Sequence, residues 1–154
     1  MILNRSRLLD GCPPGTLQAY KLRLLGHFLL DPIGQAWDIT LTSAYRSETA
    51  QAGLYALVPK KAARKAKGIS QHSLGEAADF VPKGSLTDCF LWCFDNLEPW
   101  QLILEYDDTV PECIHVSIPS EHTEIQSKRL LFYNGLWMPF TGTFPNLPAG
   151  GAAA

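Results

Sequence analysis

The dipeptide Asn134-Gly135, which lies between two short apolar runs, restricts the fold more than any other feature of the sequence. A two-residue turn of this type needs positive φ at both positions, and it connects strands that run antiparallel. The apolar runs at 130–133 and 136–138 supply the two strands. We therefore predict a hairpin near the end of the chain.

Four further segments are short and rich in β-branched or apolar residues, which predicts strands over 38–45, 77–81, 100–105 and 113–117. An acidic turn at 106–108 separates the last two segments. These two segments therefore predict a second hairpin.

Helices are predicted from their capping residues. Thr16 follows a Pro-Pro-Gly turn and is expected to cap a helix that runs to about residue 30, where Asp31-Pro32 ends it. Ser85 is expected to cap a helix that continues to Leu97, and a short helix is expected over 47–54. The first helix has an apolar stripe at helical spacing, which is expected to serve as scaffold and consists of Leu17, Tyr20, Leu24 and Phe28.

The length of 154 residues suits one domain, which we place at 1–145, followed by a flexible Pro/Gly/Ala tail over 146–154. A hydrophobic content of 46% is enough to form a core without disulfides. The net charge of -2 makes nucleic acid a poor partner. A membrane is not expected as a partner either, because no apolar run reaches the roughly 18 residues that a span needs, and no signal peptide is expected.

Cysteines and clustered cations give weaker indications. The four cysteines lack the spacing of a disulfide scaffold and are expected to be reduced and mostly buried. Cys89 and Cys93 are expected to pack in the core, because no second pair with zinc-finger spacing follows them. The cations at 60–67 could contact an anionic polymer, although such clusters are more typical of a solvated face; they are Lys60, Lys61, Arg64, Lys65 and Lys67.

The segment from His72 to Asp79 combines two good ligands for a cation such as zinc. A straight helix would separate the two residues by about 10 Å along its axis, and an unbroken strand would place them on opposite faces. Gly75 can supply the bend that brings them together. The segment is therefore a feasible half-site that needs a third ligand.

His115 supplies a candidate third ligand on a predicted strand, and Glu112 lies three residues before it. A catalytic zinc site keeps a position for water and benefits from a carboxylate that moves the proton. The commonest zinc-protease motif, His-Glu-x-x-His on a helix, does not occur in the chain.

Three blocks, taken together, resemble the zinc peptidases typified by bacterial D-alanyl-D-alanine carboxypeptidases, vancomycin-resistance dipeptidases and phage L-alanyl-D-glutamate endopeptidases. Residues 42–47 resemble the Ser-x-x-Arg block of that family, and residues 70–79 resemble its Ser-x-His-x-x-Gly-x-Ala-x-Asp block. Residues 112–115 resemble its Glu-x-x-His block. The order and spacing of the blocks match over residues 39–117.

The resemblance implies an α+β, hedgehog-like fold in which helices pack on one side of a small, mainly antiparallel sheet whose edge and loops carry the metal. It implies one Zn²⁺ held by His72, Asp79 and His115. Glu112 would be the general base, and Arg46 would position substrate or stabilise the oxyanion. The implied substrate-binding residues are Tyr45, Ser70 and Gln71.

The resemblance further implies a metallopeptidase that acts on stem or cross-bridge peptides of peptidoglycan. It is expected to be phage-encoded, and to reach the periplasm and cell wall from the host cytoplasm or to be carried in the virion beside other tail proteins. Two alternatives stay open: a non-catalytic zinc-binding module of a virus particle, and a cytoplasmic D,D-dipeptidase.

Several polar and aromatic residues receive weaker assignments. His27, His122 and Glu105 are left out of the ligand set, since their predicted positions are a helix, a polar loop and a strand end. Trp100 and Trp137 could stack on a peptide or a sugar, although a large aromatic beside a strand is more often part of the core.

Overall fold

The structure is a computed structural model and describes residues 5–57 and 69–147. The basic cluster at 60–67 and most of the predicted tail lie outside the described residues. The described part has an α+β fold, as predicted, with helices packed against a mostly antiparallel sheet.

The sheet has six strands in the order β1-β2-β4-β3-β5-β6. Neighbouring strands pair antiparallel, except that β3 and β5 are parallel. The predicted terminal hairpin is confirmed, since Asn134 and Gly135 have φ of 48° and 77°. The strands are β1 Ile39–Ser43, β2 Ala77–Pro82, β3 Gln101–Asp107, β4 Val110–Ser117, β5 Lys128–Tyr133 and β6 Leu136–Pro139.

Successive side chains along each strand point to opposite sides of the sheet, and the two faces differ in polarity. One face is apolar and packs against helices, with Phe80, Leu102, Leu104, Ile114 and Val116 all fully buried. Their neighbours along the strands point the other way, as the period of two requires. That second face carries Asp79 and His115 and forms the floor of a large cleft.

The helices are α1 Arg5–Leu8, α2 Leu17–Leu25, α3 Asp31–Ala36, α4 Glu48–Leu57 and α5 Leu86–Asn96. Thr16 and Ser85 cap α2 and α5 as predicted, because their hydroxyls accept hydrogen bonds from Ala19 N at 3.3 Å and Asp88 N at 3.2 Å.

The prediction that Asp31-Pro32 ends the first helix was wrong. A π-helical turn, Gly26–Leu30, follows α2, and α3 begins directly after it. Pro32 lies in the first turn of α3. The chain therefore continues as helix through Pro32, and the change from α2 to α3 is made by the π-helical turn just before the proline.

The apolar stripe assigned to the first helix lies mostly on the solvent side. Leu17, Tyr20 and Phe28 are 62%, 57% and 61% exposed, whereas Leu22 and Leu25 are fully buried. The helix carries apolar residues on two faces, and its periodicity alone does not determine which face packs on the sheet.

The cysteines of the described residues are free thiols, and Cys89, Cys93 and Cys113 are buried, which agrees with the expected reduced core. A hydrogen bond from Cys89, together with burial, raises the pKa of Cys93. Within the described ranges, no helix has the length and apolar character that crossing a bilayer requires.

Candidate metal centre

A tight loop at 70–76 carries the first histidine of the site. Gly75 has φ of +70°, a left-handed conformation that favours glycine, and it makes the bend between His72 and the start of β2. The loop is closed by backbone hydrogen bonds from Glu76 N to Gln71 O at 2.9 Å and from Gly75 N to His72 O at 3.3 Å. The predicted bend therefore exists at the predicted glycine.

The other two candidate ligands come from adjacent strands. Asp79 on β2 pairs in register with His115 on β4, and both side chains point into the cleft. Residues directly opposite each other in an antiparallel pair have Cβ atoms about 5 Å apart. The expectation that the edge of the sheet carries the site was wrong, because β2 and β4 are interior strands.

His72, Asp79 and His115 are all buried, and their ligand atoms lie within 4.8 Å of one another. Asp79 Oδ1 lies 2.8 Å from His115 Nδ1, and Asp79 Oδ2 lies 3.3 Å from His72 Nε2. Two ligands about 2.1 Å from one zinc ion at a tetrahedral angle lie about 3.4 Å apart. The spacing of the three side chains is therefore close to what one ion needs.

The tautomer of His72 is set by a backbone carbonyl. Its Nδ1 lies 2.6 Å from Ala44 O, and a carbonyl only accepts, so Nδ1 carries the proton. In the neutral ring, Nε2 then presents a lone pair towards the Asp79 carboxylate. Either a proton on Nε2 or a bound cation would remove the repulsion between these two acceptors, and the carbonyl contact is the type of outer contact that orients metal-binding histidines.

His115 has a nitrogen that the described residues do not satisfy. Its Nε2 is buried and has no hydrogen-bond partner among the described residues. Buried polar atoms in proteins are nearly always paired, so this nitrogen has room for a further partner. The nitrogen that lies beside Asp79 is Nδ1, at 2.8 Å from Oδ1, and Nδ1 is therefore the candidate ligand atom of His115. Two imidazoles and a carboxylate are a donor set that suits zinc, and the site fits a single such ion.

When no metal is bound, the contacts inside the group favour an ion pair between the ionised Asp79 carboxylate and a protonated His115. Burial by itself raises the pKa of Asp79, but the charges and hydrogen bonds of His72 and His115 hold that pKa well below its usual range. Burial lowers the pKa of His115, and the hydrogen bond and charge of Asp79 outweigh burial and raise that pKa.

Glu112 enters the cleft because of a β-bulge. In the β3-β4 pair Glu105 faces Cys113, but the next residue, Tyr106, faces Pro111, so Glu112 is an extra residue in β4. On a regular strand, positions 112 and 115 would point to opposite faces. The bulge re-aims Glu112, which lines the same cleft as His115.

Arg46 contacts the metal group directly. Its Nη2 lies 3.3 Å from Asp79 Oδ2, and its Nε and Nη2 donate to Ser43 Oγ at 3.0 and 2.9 Å. Its Nη1 donates to Gln51 Oε1 at 2.9 Å. These bonds hold the guanidinium at the cleft wall, where it orients Asp79 and faces the space beside it.

The three residues expected to bind substrate also line the cleft, which has a volume of about 1440 Å³. Tyr45 and Ser70 are half-buried, and Gln71 is buried. The side-chain nitrogen of Gln71 has no hydrogen-bond partner among the described residues. Gln71 therefore offers a donor to a ligand in the cleft.

Sequence reasoning missed two supports of the site. Ser43 orients Arg46, and a buried ion pair joins Lys21 of α2 to Glu76, whose side chain is 0% exposed, at 2.6 Å. Lys21 and Glu76 are 55 residues apart in the chain, so no local pattern could pair them. Glu105, left out of the ligand set, lies in the cleft next to Glu112 and Cys113, with their ligand atoms within 4.8 Å of one another.

Comparison of the chain with protein-family models, with curated proteins and with solved structures gives no match. The chemistry of the site is therefore argued from its own residues and geometry.

Proposed function

We propose that this chain is a zinc metallopeptidase that hydrolyses a peptide bond in the stem or cross-bridge peptides of peptidoglycan. The observation that carries the proposal is the buried group of His72, Asp79 and His115, with Glu112 brought into the same cleft by a bulge. A metal group and a carboxylate that share one open cleft are the parts that hydrolysis of an amide needs.

His72, Asp79 and His115 would hold one Zn²⁺ as its three protein ligands. When bound, zinc supplies Lewis acidity that polarises a carbonyl and lowers the pKa of water. The three ligands together carry one negative charge, from the Asp79 carboxylate, so the site with Zn²⁺ bound would keep a net positive charge.

Glu112 has the role of general base and then general acid. Its carboxylate takes a proton from the attacking water and delivers that proton to the departing amine, which cannot leave as an anion at neutral pH. Arg46 has a double role. It fixes the orientation of Asp79 through the 3.3 Å contact, and it places positive charge beside the carbonyl oxygen as negative charge develops there.

The shape of the cleft supports an extended substrate. It runs from Arg46 and Gln51 on one wall, over His115, to Lys128 and Trp137 on the far strands. Polar and apolar side chains both line the cleft, and the polar ones near the metal group include Ser43, Ser70 and Gln71. A peptide backbone with its many donors and acceptors would satisfy such a lining.

The assignment to peptidoglycan follows from the three sequence blocks that resemble wall peptidases, and a hedgehog-like fold belongs to the same proposal. We further propose that the protein acts on the bacterial wall, either after release from a host cell during lysis or as part of a virus particle.

The test is mass spectrometry of purified peptidoglycan after digestion by the zinc-loaded protein. The expected result is new peptide termini that disappear when a chelator is added and when Glu112 is replaced by alanine. Intact wall peptides despite bound zinc would overturn the proposal in favour of a non-catalytic zinc-binding module. Turnover of free D-Ala-D-Ala alone would indicate a dipeptidase.

A further inference from the structure

The cleft extends well beyond the metal group, across the open face of the sheet. From His115 on β4 it passes over Ile103 on β3 and Leu130 on β5 to reach Trp137 on β6. Strands in a sheet are about 4.8 Å apart, so three strand spacings place β6 about 14 Å from β4. An extended chain covers that distance with about four residues.

The two candidate stacking tryptophans have different environments. Trp100 is half-buried, does not line the cleft, and has an indole nitrogen that is buried without a hydrogen-bond partner among the described residues. Trp137 is 42% exposed and lines the cleft. Trp137 is therefore the aromatic residue available to a ligand.

Trp137 is held in place by its neighbour across the strand pair. Phe132 on β5 lies directly opposite it, and the two ring centroids are 4.6 Å apart with the planes inclined at 57°. Phe132 is only 3% exposed, so it is a fixed support. The exposed part of the indole consequently forms a rigid, flat surface at the rim of the cleft.

The surroundings of Trp137 are mixed in polarity. On the same face of the sheet, Leu130 lies two residues from Phe132 along β5, and Glu105 on β3 lies opposite Phe132; Leu130 and Glu105 both line the cleft. A flat apolar surface near a carboxylate suits a ligand with one apolar face and a hydrogen-bonding edge. A pyranose ring has this form, with C–H bonds on its face and hydroxyl or amide groups around its edge.

We propose that Trp137 forms a subsite for a sugar ring of the substrate, so that the cleft binds the glycan and the peptide attached to it together. This inference rests on the proposed function, because it takes a wall peptide to be the ligand at the metal group. It assigns specificity for sugar-bearing peptides to β6, about 14 Å across the sheet from β4, the strand that carries His115.

The test compares two ligands that differ only in the sugar: a disaccharide-linked stem peptide and the same peptide with the disaccharide removed. Dissociation constants are measured by calorimetry on zinc-loaded protein in a Glu112→Gln background, in which turnover is blocked. The sugar-bearing ligand is expected to bind about fivefold more tightly than the free peptide, from one stacking contact.

Replacement of Trp137 by alanine is expected to bring the two dissociation constants close together, and Trp137→Phe is expected to keep part of the difference. Leu136→Ala is the matched control, because Leu136 is its neighbour in β6, is 63% exposed and does not line the cleft. The control should keep the full difference. Circular dichroism melting checks that each variant folds.

An unchanged ratio in Trp137→Ala overturns the subsite, as does an equal loss for both ligands, which would show that the indole binds the peptide. Failure of the protein to bind either ligand also overturns it. A sugar preference that depends on Trp137, with both ligands left uncut by the zinc-loaded wild type, would refute the proposed hydrolysis and retain the sugar site. Cleavage of both ligands with no preference for the sugar-bearing one would retain the proposed hydrolysis and refute the sugar site.

Discussion

His115 lies directly opposite Asp79 in the antiparallel pair of β2 and β4, with His115 Nδ1 2.8 Å from Asp79 Oδ1. The register between two interior strands therefore creates the core of the metal group. A slip of one residue would turn one of the two side chains towards the apolar core. The same hydrogen bonds that hold the sheet together thus hold two of the three ligands in position.

Replacement of Asp79 by asparagine is expected to abolish zinc binding. The substitution keeps the shape of the side chain but removes the only anion among the three candidate ligands. Zinc content after dialysis, measured by elemental mass spectrometry, should fall from about one ion per chain to a small fraction. His122→Ala is the control, since that histidine lies outside the group; equal zinc content in Asp79→Asn and wild type would disprove the site.

Replacement of Glu112 by glutamine is expected to separate metal binding from catalysis. Zinc content should be unchanged, because Glu112 is not one of the three ligands, whereas turnover of a wall peptide should fall by roughly 10² to 10⁴. Glu121→Gln, an exposed carboxylate that does not line the cleft, is the matched control. Full activity in Glu112→Gln would remove it from the mechanism.

Replacement of Lys21 by methionine is expected to destabilise the protein and weaken zinc binding together. It leaves the Glu76 carboxylate buried without its cation, at a cost of about 3 kcal/mol. Glu76 also anchors the loop that carries His72, through its backbone bonds to Gln71 and Ile118. Urea unfolding and zinc titration measure the two effects.

Arg23→Met is the control for Lys21→Met, because Arg23 is an exposed cation on the same helix, α2. Removal of a surface charge there should change the unfolding free energy by less than about 0.5 kcal/mol. Identical behaviour of the two variants would show that the Lys21–Glu76 pair does not support the loop.

Replacement of Gly75 by alanine is expected to be more harmful than the same change at Gly15. Both glycines have left-handed φ, of +70° and +73°, so the backbone strain is similar. A Cβ at Gly75 would lie 2.5 Å from Gln18 O, whereas a Cβ at Gly15 would meet nothing within 4 Å. Gly15→Ala should cost about 1 kcal/mol. Comparable thermal stability of the two variants would contradict the close packing of α2 against the metal loop.

The stability of the metal-free protein is expected to depend on the ionisation of Asp79 and His115. The pKa of His115 is raised from 6.5, so its contribution is complete below pH 6.5 and is lost as pH rises through the raised value. The pKa of Asp79 is lowered from 3.8, so its contribution is complete above pH 3.8 and is lost as pH falls through the lowered value. The pair should therefore stabilise most between these two ordinary values.

Chemical unfolding in the presence of a chelator, followed from pH 3 to pH 9, measures this dependence. Asp79→Asn should have a flatter profile, since it removes the partner that raises the pKa of His115. Zinc affinity should fall as pH is lowered, because the metal displaces the proton from the imidazole. A metal-free profile that is the same for wild type and Asp79→Asn would exclude the ion pair as its cause.

Local chemistry of the sequence determined much of the framework. The positive φ that Asn134 and Gly135 tolerate is enough to place the terminal hairpin, and the hydroxyls of Thr16 and Ser85 are enough to place two helix starts. Gly75 between His72 and Asp79 likewise signalled a bend. Each of these features depends on contacts within a few residues, so the sequence carries them directly.

Features that depend on distant partners were decided only by the tertiary structure. The side of α2 that packs on the sheet, the burial of Glu76 against Lys21, and the position of the site on interior strands all depend on contacts between distant segments. The bulge at Glu112 is of the same kind, because it is defined by the pairing of β3 with β4. The sequence by itself determined which residue types could form a metal centre and a base, and only the pairing of the strands decided that they face one cleft.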